Sequence, residues 1–156
     1  MNKEDIRSVL KTFPPRREYL IRMLHALQDI SGSNHIPPEA LQEIVKYTNL
    51  SMAAVMGVVE YYSMFSTTPR GKYLVRICFS PVCINHEAED VLNVLIKHFN
   101  IKSVVSKDGL ISVEKSECLG RCGQGTTVSI NSHYIENVTV ENICKQIEDY
   151  IKKEGK

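Results

Sequence analysis

Tyr73-Leu-Val-Arg-Ile-Cys78-Phe-Ser-Pro-Val-Cys83 reads as a strand that runs straight into a pair of cysteines. Aromatic and β-branched residues fill its first half, and Ser80-Pro81 breaks the run. A second pair stands in Cys118-Leu-Gly-Arg-Cys122-Gly-Gln-Gly125, with 34 residues between the two pairs. Two short loops that each offer two thiolates can enclose a soft metal centre from opposite sides. Thiolates select iron–sulfur clusters, zinc or Cu(I), and four of them are the usual complement of a [2Fe–2S] cluster. Cys78, Cys83, Cys118 and Cys122 are the candidate ligands.

Outward from these loops, residues 87–99 show helical spacing, with Val91, Leu92, Leu95, Ile96 and Phe99 on the apolar side. Strands are expected near 110–113, 127–130 and 133–135, the last two joined by a turn at Asn131-Ser132. Thr139 caps a closing helix from about Val140 to Lys153. On it Cys144 shares a stripe with Val140, Ile143, Ile147 and Ile151 and reads as a small core hydrophobe. The order β–α–β–β–β–α predicts an α/β sandwich with a short mixed sheet, all four paired cysteines lying in its connections.

Upstream of the turn-rich Thr67-Thr-Pro-Arg-Gly71 the pattern is helical. Residues 3–12 place Ile6, Val9, Leu10 and Phe13 together before Pro14-Pro15. Residues 17–30 place Leu20, Leu24, Leu27 and Ile30 on one stripe beside Ile21. Pro37-Pro38 opens a third helix whose inward residues are Leu41, Ile44 and Val45. Ser51 caps a fourth, with Val55, Val58, Val59 and Tyr62 inward. The expectation is a helical bundle over 1–70 and a separate α/β domain over 71–156.

The 156 residues are 43% hydrophobic and 24% charged with a net charge of +1, so no global field recruits nucleic acid or an anionic membrane. The longest apolar run, Met52–Val59, is too short to span a bilayer. An acidic N-terminus without an apolar stretch reads as neither a secretory signal nor a transit peptide. A cytoplasmic location follows, and in a reducing compartment paired cysteines point to metal binding rather than disulfides. Lys152, Lys153 and Lys156 read as solvated.

Several metal chemistries fail on spacing. A plant-type ferredoxin would need cysteine where His86 stands, a Rieske centre needs Cys-x-His, and a thiol oxidoreductase wants Cys-x-x-Cys. Structural zinc fits as iron–sulfur does, so a zinc-stabilised interaction module without redox role is the alternative. A redox sensor closing one pair as a disulfide is a third reading. Gly120, Gly123 and Gly125 let the backbone approach a bound group. Arg121 either offsets the charge of that group or is a solvated loop residue. His86 reads as a surface residue at a helix start, and His25, His35, His98 and His133 form no ligand spacing. No nucleophile–base pair stands out, so no substrate-converting residue is expected.

Cys118-Leu-Gly-Arg-Cys-Gly, Met56-Gly-Val-Val-Glu-Tyr-Tyr-Ser-Met-Phe65 and the Gly71-Lys72-Tyr73 approach to the first cysteine resemble one family, over about Tyr19 to Ile151. It is the thioredoxin-like [2Fe–2S] subunit family of NADH dehydrogenase, the 24 kDa subunit of complex I. Related subunits occur in NAD-linked and electron-bifurcating hydrogenases and formate dehydrogenases. The resemblance implies a helical lead-in, a thioredoxin-like ferredoxin domain and one [2Fe–2S] cluster, with Cys78 and Cys83 on one iron and Cys118 and Cys122 on the other. It also implies one-electron transfer beside a flavoprotein subunit that binds FMN and NAD(H), and further iron–sulfur or catalytic subunits. Two departures stand out. Ser80-Pro81-Val82 replaces Gly-Thr-Ala before the second cysteine, and Gly125-Thr126 stands where the family usually has Ala-Pro. Neither removes a ligand.

Overall fold

The computed structural model describes residues 1–135 and 138–154. The chain divides into two compact units, Met1–Arg70 and Gly71 onward.

The first unit contains α1 (Lys3–Leu10), α2 (Leu20–Asp29, entered through a 3-10 turn at Arg17–Tyr19), α3 (Pro38–Thr48) and α4 (Met52–Tyr61). Asn2 and Asp5 cap α1 reciprocally, and the Ser51 hydroxyl accepts the Ala54 N–H at 3.2 Å to start α4. Ile6, Leu10, Leu20, Met23, Leu24, Leu27, Ile44, Val55 and Val59 form the core. The buried stripe of α2 is turned toward Met23, so Ile21 and Ile30 are exposed rather than inward. On α4 the helix stops at Tyr61. Tyr62 leaves in an extended conformation (ψ 109°) and is exposed, while Val58 is half-buried.

The larger surprise lies on α3, where Glu43 is buried and Val45 only half-buried. The Glu43 carboxylate accepts from Arg7 Nε at 2.7 Å and Lys46 Nζ at 3.2 Å. Two cations compensate the lost hydration, which lets a carboxylate sit on the seam between α1 and α3. Beyond α4 the chain is tied from below. Arg70 donates to the carbonyls of Met64 (3.0 Å) and Phe65 (3.1 Å), while Gln28 donates to Met64 O and accepts from the Ser66 N–H.

The second unit contains β1 (Tyr73–Cys78), α5 (Pro81–Ile84), α6 (Ala88–His98), β2 (Ile111–Ser116), β3 (Val128–Ile130), β4 (His133–Ile135) and α7 (Ile143–Glu154). The sheet order is β2-β1-β3-β4, with β1 and β2 parallel and the other pairings antiparallel. Tyr73, Val75 and Ile77, alternate residues of β1, share a core with Val91 and Leu95 of α6 and Ile143 and Ile147 of α7. Cys144 is half-buried against that core, as its stripe implied. Arg76, at the opposite phase, pairs across the ladder with Glu114 at 3.7 Å.

Three local differences from the sequence reading have simple causes. β2 continues to Ser116 because it pairs with β1 along the whole of that strand. Val140 lies in a turn, where Thr139 and Asn142 exchange hydrogen bonds before α7 begins. Pro81 opens a short helix, α5, in a stretch read as loop. Ile96 is exposed on α6. Asn131 takes a left-handed conformation in the β3–β4 turn, and its side chain and backbone both bond Leu74 of β1. Lys152 and Lys153 are exposed, while Lys156 lies outside the described residues.

Candidate metal centre

Strand direction brings the four cysteines to one end of the sheet. Because β1 and β2 are parallel, both finish at the same edge, and Cys78, the last residue of β1, is in register with Ser116. Cys118 follows two residues later. β3 is antiparallel to β1, and its first residue, Val128, is in register with Ile77, so the lead-in carrying Cys122 emerges at that edge too. Strand carboxyl ends are where α/β sheets hold ligands. Three placements differ from the expectation of four loop cysteines: Cys78 terminates a strand, Cys83 sits on α5, and Cys122 opens a 3-10 turn over Cys122–Gln124.

The pairs differ in depth. Cys78 and Cys83 are 1% and 0% exposed, whereas Cys118 and Cys122 lie in the open. The Sγ atoms of Cys118 and Cys122 are 3.8 Å apart. Cys78 Sγ lies 3.2 Å from the Ser80 hydroxyl, and Cys83 Sγ lies 3.6 Å from the Gly125 carbonyl. The Gly120 N–H points at Cys118 Sγ at 3.4 Å.

Burial alone pushes the Cys78 thiol up. Hydrogen bonds from the Ser80 hydroxyl, the Ser80 and Leu119 N–H groups and the Cys83 thiol outweigh it, holding Cys78 below the ordinary cysteine range. Cys122 is pushed up, first by its hydrogen bond with Cys118 and that group's charge, then by burial and by the charges of Cys83 and Cys78. All the other paired sulfurs therefore act electrically on Cys122, and a cation among them would relieve the repulsion.

Gly125-Thr126-Thr127 connects the loops. The single proton of the Thr126 hydroxyl is shared between the carbonyls of Cys83 (3.4 Å) and His86. The Thr127 hydroxyl donates to Arg121 O at 3.3 Å, and Thr127 O accepts from the Cys78 N–H at 3.0 Å. Gly125 holds φ 73°, ψ −147°, a combination left almost wholly to glycine, and Gly120 holds φ 79°. Gly123 has no such demand. Arg121 lies over the Tyr134 ring with its guanidinium carbon 4.4 Å from the centroid, a cation–π contact to β4 that neither sequence reading anticipated. His86 is exposed, and the remaining histidines are engaged elsewhere, against Phe65, Ser33, Glu148 and Tyr150.

This donor set fits a [2Fe–2S] cluster. The thiols come in two pairs, the number a cluster of two irons calls for, and backbone N–H groups at residues 80, 119 and 120 point at sulfur, the arrangement that would stabilise a cluster's negative charge. Among the described residues, no three His, Cys, Asp or Glu side chains gather as one ion would require. Ser80 and Thr126 stand at the two departures from the family pattern, where the sequence pointed to altered loop hydrogen bonds, and both make such bonds. Sequence reading missed Leu119 and Thr127, whose only signal was their place beside the cysteine loops.

A mixed four-stranded sheet with two helices on one face, cysteine pairs at the strand ends and helices at the N-terminus defines a thioredoxin-like ferredoxin. The chain belongs to the thioredoxin-like [2Fe–2S] ferredoxin family, whose model matches residues 6–151, and the family's cofactor is a [2Fe–2S] cluster. It is 27% identical over 142 residues to an NADP-reducing hydrogenase subunit of Solidesulfovibrio fructosivorans, covering 90% of this chain and 82% of that one. It is 33% identical over 143 residues to NADH-quinone oxidoreductase subunit 2 of Thermus thermophilus, covering 88% and 78%. The fold is shared with a crystal structure of an NAD+-reducing [NiFe]-hydrogenase in the air-oxidised state, at a TM-score of 0.68 and 18% identity over 85% of this chain. The chain spans 23% of the length of that structure's chain. No helix among the described residues is long and apolar enough to cross a membrane.

Proposed function

We propose that the chain carries single electrons through a [2Fe–2S] cluster as a small subunit of an NAD(H)-linked oxidoreductase, of the NADH dehydrogenase, hydrogenase or formate dehydrogenase type. Cys78 and Cys83 hold one iron; Cys118 and Cys122 hold the other. The observation that carries the reading is the meeting of both cysteine pairs at one sheet end, with N–H groups aimed at their sulfurs. When bound, the cluster accepts and releases one electron at a time.

The chain's own residues hold and tune. The thiols of the four cysteines give up their protons to bind metal. Ser80, Leu119 and Gly120 donate hydrogen bonds to sulfur, which stabilises negative charge there. Burial keeps water from Cys78 and Cys83. Cys118 and Cys122 lie at the surface, so electrons cross to a partner by the shortest route on their side. That partner is a flavoprotein subunit binding FMN and NAD(H), with further iron–sulfur or catalytic subunits beyond it, in the cytoplasm. Substrate conversion belongs to those subunits, and the units 1–70 and 71–156 act as separate domains.

Anaerobic purification tests this directly. The protein should be brown, contain iron and acid-labile sulfide in equal amounts, and give an EPR signal when reduced by one electron. A colourless protein with stoichiometric zinc would establish the zinc-stabilised module instead.

A further inference from the structure

We infer that Thr126 and Thr127 are positioning residues which set the separation of the two cysteine pairs, and so the spectroscopic and kinetic character of the cluster; this rests on the ligand assignment above. Each pair is fixed within itself by local backbone, Cys78 and Cys83 by the end of β1 and by α5, Cys118 and Cys122 by the Gly120 turn. Pairing of β1 with β2 brings both pairs to one sheet edge, where the Phe79 N–H meets Ser116 O at 2.9 Å. The dipeptide Thr126-Thr127 adds three groups that tie together the loops beyond that edge. One hydroxyl reaches the carbonyls of Cys83 and His86, on the first cysteine loop. The next hydroxyl reaches the carbonyl of Arg121, between the second pair of cysteines. The Thr127 carbonyl takes the N–H of Cys78 itself. Both threonines are buried, 3% and 4% exposed, where a hydroxyl left without a partner would be costly.

Gly125 adopts a conformation that alanine resists, and it delivers Thr126 between the two loops. The pair Gly125-Thr126 therefore acts as a clasp: the glycine allows the turn and the threonine closes it.

The full-length protein, purified anaerobically with its cluster, is compared with Thr126→Val, Thr126→Ser and Thr127→Val. Valine keeps the branch and volume while removing the hydroxyl; serine restores it. Cluster loss to a chelator, the EPR g-values and linewidth of the reduced protein, and the midpoint potential are read beside the far-UV melting curve. Thr126→Val should lose its cluster about tenfold faster, by analogy with other outer-shell partners of metal ligands, and its EPR signal should shift and broaden. Thr126→Ser should return both to wild-type values. Thr127→Val, which opens the other arm, should move the same readouts and gives an independent answer if Thr126→Val does not fold. A wild-type spectrum, potential and loss rate in the valine variants would overturn the clasp, even with a lowered melting temperature. Serine failing to rescue would overturn it too. Wild-type protein lacking equal iron and sulfide would instead overturn the ligand reading, before any variant is compared.

Discussion

Gly71 stands where β1 begins beside β2, and a Cβ there would lie 2.6 Å from the Ile111 carbonyl carbon. Its N–H donates to the buried Ser112 hydroxyl at 2.6 Å. Space rather than backbone conformation is what demands glycine here. Gly71→Ala should destabilise the unit from Gly71 onward by about 1–3 kcal/mol, the usual cost of overpacking, and denaturant unfolding followed by far-UV circular dichroism measures it. A variant as stable as wild type would mean that the strands can part without penalty. The sequence placed Gly71 within a family motif, but the close approach of β2, forty residues away in the chain, was not legible there. The same holds for the cysteines. Their spacing pointed to a soft metal and left zinc open, because spacing says nothing about which N–H groups will face the sulfurs.

Among the elements, α1 and α3 meet across Glu43, which hydrogen bonds from Arg7 and Lys46 hold below the ordinary carboxylate range against the opposing effect of burial. A carboxyl with a lowered folded pKa stabilises the fold above its unfolded value, near 4.5, and that stability is lost as pH falls through the folded value. Glu43→Gln should therefore be less stable than wild type at about pH 7, with the gap closing toward about pH 3. Urea midpoints at the two pH values test it, and a gap of constant size would assign Glu43 a role independent of its charge. Helical spacing located α1 to α4 and the buried Leu41 and Ile44 of α3, but it scores Glu as a surface residue and so left Glu43 off that inner face. Periodicity also misjudged Ile21, Ile30 and Tyr62, since a stripe read from one helix cannot know which neighbour it will face. α5 was invisible for a different reason: four residues are too few to show a period.

For the molecule as a whole, the order of strands and helices and the α/β class were legible, because alternating apolar residues and turn formers repeat over long stretches. The parallel pairing of β1 with β2 was not, and it is that pairing which brings two distant cysteine pairs to one end of the sheet. The family match over residues 6–151 extends the likeness into α1, beyond the Tyr19 boundary of the sequence reading. It assigns the cluster, and the geometry supports which residues hold it. That assignment separates four cysteines at the strand ends from a fifth, Cys144, half-buried on α7. The most direct measurement is iron, acid-labile sulfide and reduced-state EPR on Cys118→Ala beside Cys144→Ala, both purified anaerobically. Cys144→Ala should retain the full wild-type iron and sulfide content and signal, while Cys118→Ala loses the normal cluster. A normal cluster in Cys118→Ala, or its loss in Cys144→Ala alone, would contradict the account.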